Sequence, residues 1–214
     1  MRNKLAIPFL GIPGIPSPED VATYMNRFEP ILIQSNPWPN FKHFVKANYT
    51  IAHNGNAIFL KYVVQENYLQ AVATTNGEIH QDSCVEFFIA LDENENYYNL
   101  EFNCLGSSKI GYGASRSDRV LLASNLVELI ASVSKIKTHI INSKKVFAWE
   151  IILVIPLTVF CYSPINSFKG VKAQGNFYKC GDELPQPHYL TWNFIKANGP
   201  DFHRPECFGD LEFI

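Results

Sequence analysis

This chain is short of charge of either sign: 18 Lys and Arg stand against 20 Asp and Glu in 214 residues, a formal net charge of -2. No basic cluster offers the footprint that phosphate backbones require, so nucleic acid is excluded as an expected partner. Long apolar runs are also lacking. The longest, Trp149 to Cys161, contains Glu150 and Pro156 and falls short of the ~20 residues that span a bilayer. Cysteines are few and ill-spaced: positions 84, 104, 161, 180 and 207 form an odd set without a Cys-x-x-Cys pair. That argues against a zinc knot and against a disulfide framework, and Cys84 reads as a small buried hydrophobe.

Catalytic signatures are missing as well. The chain has no Gly-x-Ser-x-Gly, no Gly-rich phosphate loop and no His-Glu-x-x-His, and Gly111-Tyr112-Gly113 is only a fragment of a dinucleotide pattern. The N-terminus starts basic and then apolar, but prolines at 8, 13 and 16 and the lack of an Ala-x-Ala-like site argue against a signal peptide. The expected compartment is cytoplasmic for the chain as given, or periplasmic or extracellular if an export signal was trimmed.

What is abundant is core material: 47% of residues are hydrophobic and 14% aromatic, enough for a large buried interior. One domain over residues 1–214 is expected, with residues 1–30 as a lead-in and short helix. Ser17-Pro18-Glu19-Asp20 supplies an N-cap, a first-turn proline and first-turn acids, with Val21, Tyr24, Met25 and Phe28 at helical spacing. Strand signals follow at 44–52 and 57–64 around Asn54-Gly55, a strong hairpin turn. Residues 70–75, a run from Lys109 to near Arg116, 133–141, Val146–Pro156 and 208–213 also read as strands, with a turn at Lys144-Lys145 and an ambiguous stretch at 121–134. Many short strands without a βαβ rhythm predict an all-β fold, an antiparallel β-sandwich of immunoglobulin-like or jelly-roll-like type with one or two short helices.

The organising segment is the hairpin of Asp82–Ala90 and Tyr97–Asn103 joined by the polar turn 92–96. Alternation places Val85, Phe87, Ile89, Tyr98, Leu100 and Phe102 inward. The other face carries Glu86, Phe88, Tyr97, Asn99, Glu101 and Asn103. Glu86 and Glu101 fall nearly opposite, and facing like charges destabilise a ladder by up to about 1 kcal/mol. This face therefore calls for a cation, a shared proton or a hydrogen-bonding ligand. Arg116 and Arg119 are the available cations, and the last 45 residues, rich in aromatic and polar groups and poor in apolar runs, suit site-bearing loops. Cys180 with His188 is a nucleophile pair supported only by closeness in sequence. A carboxylate pair, Glu86 with Glu101 or with Asp82, leaves glycoside hydrolysis open, and a structural or protein-interaction module is a further alternative.

His80-x-Asp82-Ser83-x-Val85-Glu86-Phe87-Phe88-Ile89, the Tyr-rich strand after it, Trp149-Glu150 with Ile155-Pro156, and Trp192 through Phe208-Gly209-x-Leu211 together resemble the family 9 carbohydrate-binding modules and their stand-alone family 9-like relatives. The similarity runs from about residue 44 to the C-terminus. It implies a β-sandwich that binds mono- or oligosaccharide without cleaving it, commonly within polysaccharide or glycan utilisation, with calcium bound in some members. Two aromatic side chains clamp a sugar ring in such modules, while a glutamate, an arginine and amides bond its hydroxyls. The glutamate maps onto Glu86. The first clamp position is His80 instead of tryptophan, the arginine falls at Asn99, and the second clamp falls at Phe202 with His203 as the alternative. With Arg116 and Tyr178 added from the residue reading, these are the expected sugar contacts; Trp192 is expected in the core, no metal ligand is assigned, and the oligomeric state is left open.

Overall fold

The computed structural model describes residues 2–92 and 95–214. Its strands are β1 (Lys4–Ile7), β2 (Ile31–Ile33), β3 (Val45–His53), β4 (Ala57–Glu66), β5 (Cys84–Ala90), β6 (Tyr97–Asn103), β7 (Ser108–Gly113), β8 (Val120–Leu121), β9 (Ala131–Ile141), β10 (Lys144–Pro156), β11 (Lys172–Cys180), β12 (Tyr189–Thr191) and β13 (Gly209–Phe213). Two short helices, α1 (Pro18–Met25) and α2 (Ser124–Val127), complete the regular structure. One sheet runs β1-β13-β11-β5-β6-β7-β8, with β12 also on β11; the other runs β2-β3-β4-β10-β9. The expected β-sandwich is what forms, antiparallel except where β1 pairs with β13 in parallel. None of its described helices is long and apolar enough to cross a membrane.

The inward residues of the central hairpin are those that alternation selects: Val85, Phe87, Ile89, Tyr98, Leu100 and Phe102 are all fully buried in the main core. Across the sandwich, Tyr49 of β3 stacks on Phe177 of β11 with ring centroids 3.8 Å apart, and Phe177 stacks on Phe87 at 4.7 Å. Such pairs add roughly 0.5–1.5 kcal/mol each beyond their burial and lock the sheets in register. Tyr62 Oη donates to the Glu86 backbone carbonyl at 2.8 Å, so the strand that carries Glu86 is fixed from behind. A second apolar layer lies on the outer face of the five-stranded sheet. There Ser17 caps α1 by accepting from the Asp20 N–H, and Val21 and Met25, one turn apart, pack on Ala52, Phe59, Ile152 and Val154.

Several expectations are corrected. Residues 70–75 form no strand: Asp82, buried, accepts from the Val72 and Ala73 N–H groups and from Asn103 Nδ2, so their amides face a side chain and not a neighbouring strand. The turn expected at Lys144-Lys145 lies one pair earlier, where Asn142 and Ser143 take φ of 49° and 60°, the paired left-handed conformation that suits a two-residue hairpin loop; both lysines belong to β10. Tyr24 is exposed and not on the buried face of α1. The lead-in is partly sheet, as β1. Glu93 and Asn94 of the turn at 92–96 lie outside the described residues. The largest miss is β11, a central strand within a segment expected to be irregular.

Candidate functional site

The outer face of the eight-stranded sheet carries a row of polar groups. Tyr178, Glu86, Glu101 and Lys109 are register partners across β11, β5, β6 and β7, so the two glutamates stand side by side as alternation predicts. Both are about 3% exposed. Desolvation and the neighbouring Glu101 charge push the Glu86 carboxyl up to about 8, and Cys180 Sγ donates to its Oε1 at 3.1 Å. Glu101 takes the cations instead. Arg119 lies 3.6 Å from Oε1, where Asn99 Nδ2 donates at 2.9 Å, and His80 Nδ1 is 3.8 Å from Oε2. The Glu101 carboxylate raises His80 above its ordinary range. Facing like charges are thus relieved by a cation on one side and by a proton favoured on the other. Glu101 Oε2 remains buried without a hydrogen-bond partner, which costs roughly 1–3 kcal/mol until something donates to it.

Loops from distant parts of the chain wall this row. The His80 turn is held by Asp182, whose N–H donates to the His80 carbonyl at 3.1 Å. On the opposite wall, Phe202 stacks on Tyr178 at 4.2 Å, with the Trp38 ring 6.1 Å away and Tyr189 edge-on. His203 lies over Phe88, its Nε2 3.2 Å from an Arg119 nitrogen and its Nδ1 2.7 Å from Tyr97 Oη. Arginine can only donate, so Nε2 is the acceptor and Nδ1–H donates to the tyrosine. Burial, and then the Arg119 charge, push His203 down to about 3, so this imidazole is neutral and both its nitrogens are engaged. Arg119 reaches Glu101 by crossing β7, which needs its glycines: a Cβ on Gly111 would meet Asn99 Oδ1 at 2.5 Å, and one on Gly113 the Arg119 Cα at 2.6 Å. The discarded Gly-x-Gly fragment is the gap through which the arginine passes.

The resulting cleft has a volume of about 50 Å³. At ~10–15 Å³ per water, it holds a few waters, or one edge of a larger polar ligand. His80, Glu86, Arg116, Phe202 and His203 all line it, with Arg116 at the exposed rim. Asn99 and Tyr178 do not line it: Asn99 is spent on Glu101, and Tyr178 backs Phe202 from beneath, its hydroxyl donating to the Phe202 carbonyl at 3.2 Å. Phe202 is 8% exposed, so it offers the cleft an edge and not the open face of a clamp. Sequence reasoning left out of the expected contacts Glu101, Arg119, Cys180 and Asp182, which also line the cleft. For Glu101 the signal was present in the strand alternation; for Cys180 and Asp182 the contact depends on β11, which went unread. Trp192 packs on Tyr49 and Phe177 at the core. Of the two carboxylate pairs, Glu86 with Asp82 is ruled out by Asp82's engagement with backbone amides, and Cys180 faces Glu86 while His188 packs on Lys179.

One group of metal-capable side chains lies close together among the described residues: Cys84, Glu86 and Cys180, all buried, the last two lining the cleft. Two sulfurs and one carboxylate do not fit calcium, a hard cation that gathers six to eight oxygens, so the resemblance's calcium finds no support in this cluster.

The model of carbohydrate-binding family 9 matches residues 19–213, a span that takes in α1 from its second residue on and begins earlier than the resemblance did. A crystal structure of a protein from Bacteroides uniformis ATCC 8492, assigned as carbohydrate-binding, is 31% identical, covers 100% of both chains and superposes with a TM-score of 0.91. A carbohydrate binding module family 9 from Caldicellulosiruptor kristjanssonii, solved in complex with glucose, is 14% identical with a TM-score of 0.60 and covers 99% of this chain and 96% of its own. The cellotriose complex from that organism is 15% identical with a TM-score of 0.58, covering 99% and 93%. No curated protein matches.

Proposed function

This chain belongs to carbohydrate-binding family 9, and from that premise we propose that its cleft binds a mono- or oligosaccharide and leaves the glycosidic bond intact. The observation that carries the reading is Glu101 Oε2, a buried carboxylate oxygen without a donor that stands in a polar cleft beside an arginine, a histidine and a phenylalanine edge. A sugar hydroxyl is a donor of the right size for that oxygen, and its own oxygen can accept from Arg119 or His80. The apolar C–H flank of a pyranose suits the Phe202 edge. Since about 50 Å³ is far below the ~300–1,000 Å³ of a pocket that engulfs its ligand, one side of a single ring enters and the remainder of a longer glycan stays outside.

Binding without cleavage follows from where the acids stand. Glycosidases place two carboxyl groups on opposite sides of the scissile bond, whereas Glu86 and Glu101 are cross-strand neighbours on one floor. The test is calorimetric titration of the full chain with glucose and with cellotriose, backed by a glycan array, comparing wild type with Glu101→Ala and Glu101→Gln. Saccharide binding that weakens about tenfold or more in both variants, with a chromogenic glycoside left uncleaved, supports the proposal. An array without a single hit, undiminished affinity in the variants, or release of the chromophore would overturn it.

A further inference from the structure

Cys84 and Cys180 are register partners across β5 and β11, at the next outward position along each strand from Glu86 and Tyr178. All three ligand-bearing side chains, Cys84, Glu86 and Cys180, are at most 3% exposed, and one donor atom from each lies within 4.8 Å of the other two. Glu86 Oε1 is 3.1 Å from Cys180 Sγ and 3.9 Å from Cys84 Sγ. A tetrahedral zinc ion, with bonds of about 2.3 Å to sulfur and about 2.0 Å to carboxylate oxygen, holds such an S···O pair about 3.5 Å apart. The two observed separations bracket that value, so shifts of a few tenths of an ångström bring both sulfurs into range.

We infer that Cys84, Glu86 and Cys180 form a three-ligand site for zinc or a similarly thiophilic divalent cation at the floor of the cleft. Two sulfur donors select against magnesium and calcium and toward zinc. Glu86 and Cys180 line the cleft, which gives the ion its way in and leaves the fourth tetrahedral position directed at solvent or ligand, the open geometry that distinguishes reactive zinc sites from closed structural ones. On binding, the cation displaces the two thiol protons, and the carboxyl proton where it is present, to solvent. Two thiolates and a carboxylate around a divalent ion sum to one negative charge, and His80 and Arg119 stand on the same cleft to balance it. The inference rests on the donor set alone and holds whether or not the cleft takes a sugar.

Cadmium and cobalt are the probes, because thiolate ligation gives each a charge-transfer absorption that oxygen ligation does not. The full chain, kept reduced by a phosphine and carrying Cys161→Ser and Cys207→Ser to silence the exposed and half-buried thiols, is titrated with either metal and no saccharide. One ion per chain with the absorption of two thiolates is expected, lost in Cys84→Ser and in Cys180→Ser and at least tenfold weaker in Glu86→Gln. Absence of that band in the background protein, or its survival in either serine variant, would overturn the assignment. X-ray absorption of zinc-loaded wild type covers the case of a variant that does not fold: two sulfurs in the first shell are expected, and a shell of oxygen and nitrogen only would refute the site.

Discussion

Among the described residues, glutamates are buried in two places, and they do opposite things. Glu66, at the end of β4 and 1% exposed, lies inside the sandwich with a full cation in close contact. Trp149 Nε1 donates to its Oε1 at 2.6 Å, the Lys179 ammonium is 2.9 Å from Oε2, and His188 Nε2 is 3.5 Å away. Lys179 in turn donates to the Cys180 carbonyl and to His188 Nε2. The space beside this cluster is about 10 Å³, room for one water. Glu86 and Glu101 are buried nearly as deeply; Glu101 Oε2, like Glu66 Oε2, accepts no hydrogen bond, but its nearest cationic nitrogen is 3.8 Å away and the space beside the pair is several times larger. Neither burial of an acid nor an oxygen short of a hydrogen bond is therefore the mark of a site; a cation held off at a distance and an opening beside it are. Lys179 and Cys180 are consecutive on β11 and point to opposite faces, so one strand serves both clusters.

The sharpest way to break this contrast is Lys179→Ala. It strands the Glu66 charge in the interior, and removing one partner of a buried pair costs about 3–5 kcal/mol, read as a lowered urea midpoint. Saccharide affinity of the folded fraction should stay within twofold of wild type, because the lysine faces away from the cleft. If affinity collapses while stability holds, the two clusters are one functional unit. The complementary change, Glu101→Gln, removes the charge that Arg119 and His80 answer. It should weaken saccharide binding by roughly 1.5–3 kcal/mol, the range for hydrogen bonds to charged groups, or about tenfold or more in titration calorimetry, with the unfolding midpoint unchanged or higher.

A pH scan sharpens the same comparison at about half that size. Burial, and then the Lys179 charge, push His188 down to about 2 in the folded protein, whereas in the unfolded chain it titrates near its ordinary 6.5. Between these values the unfolded chain binds one more proton at this residue, so the contribution of His188 to stability is full above pH ~6.5 and falls on acidification by about 1.4 kcal/mol per pH unit. His188→Gln should remove about that much from the wild-type slope in urea unfolding followed between pH 6.5 and 5. An unchanged slope would place the acid sensitivity elsewhere.

Where each side chain's face agreed with its polarity, the sequence could be read. Val85 to Ile89 and Tyr98 to Phe102 alternate cleanly, and the predicted opposition of Glu86 and Glu101 is the observed register. β11 escaped notice because its inward positions include Gly175 and Lys179, whose burial makes sense only once Glu66, over a hundred residues earlier, is known to face it. Asp82 likewise looked like a site acid, and its role in mooring residues 72 and 73 depends on a fold-back with no local pattern. The cleft's walls come from segments near 80, 119, 182 and 202, whose convergence is a property of loops. The resemblance to known modules supplied Phe202 and His203, but not that Phe202 would lie flat on Tyr178.

The two loop arginines were equivalent in sequence and are not so in space, which gives the smallest and most discriminating prediction. Arg119 passes over Gly111 and Gly113 to pair with Glu101 and donates to His203, a largely buried arrangement fixed by one directional bond. Arg116 is exposed at the rim, where a charge acts through screened attraction of at most about 1 kcal/mol. Arg116→Ala should therefore reduce saccharide affinity less than about fivefold, by an amount that shrinks further in high salt. Arg119→Ala should cost several times more and be insensitive to salt. Calorimetry of both variants at two ionic strengths decides between them, and equal losses would mean that recognition happens at the mouth of the cleft and that the buried Glu101 pairing serves only to hold β6 and β7 together.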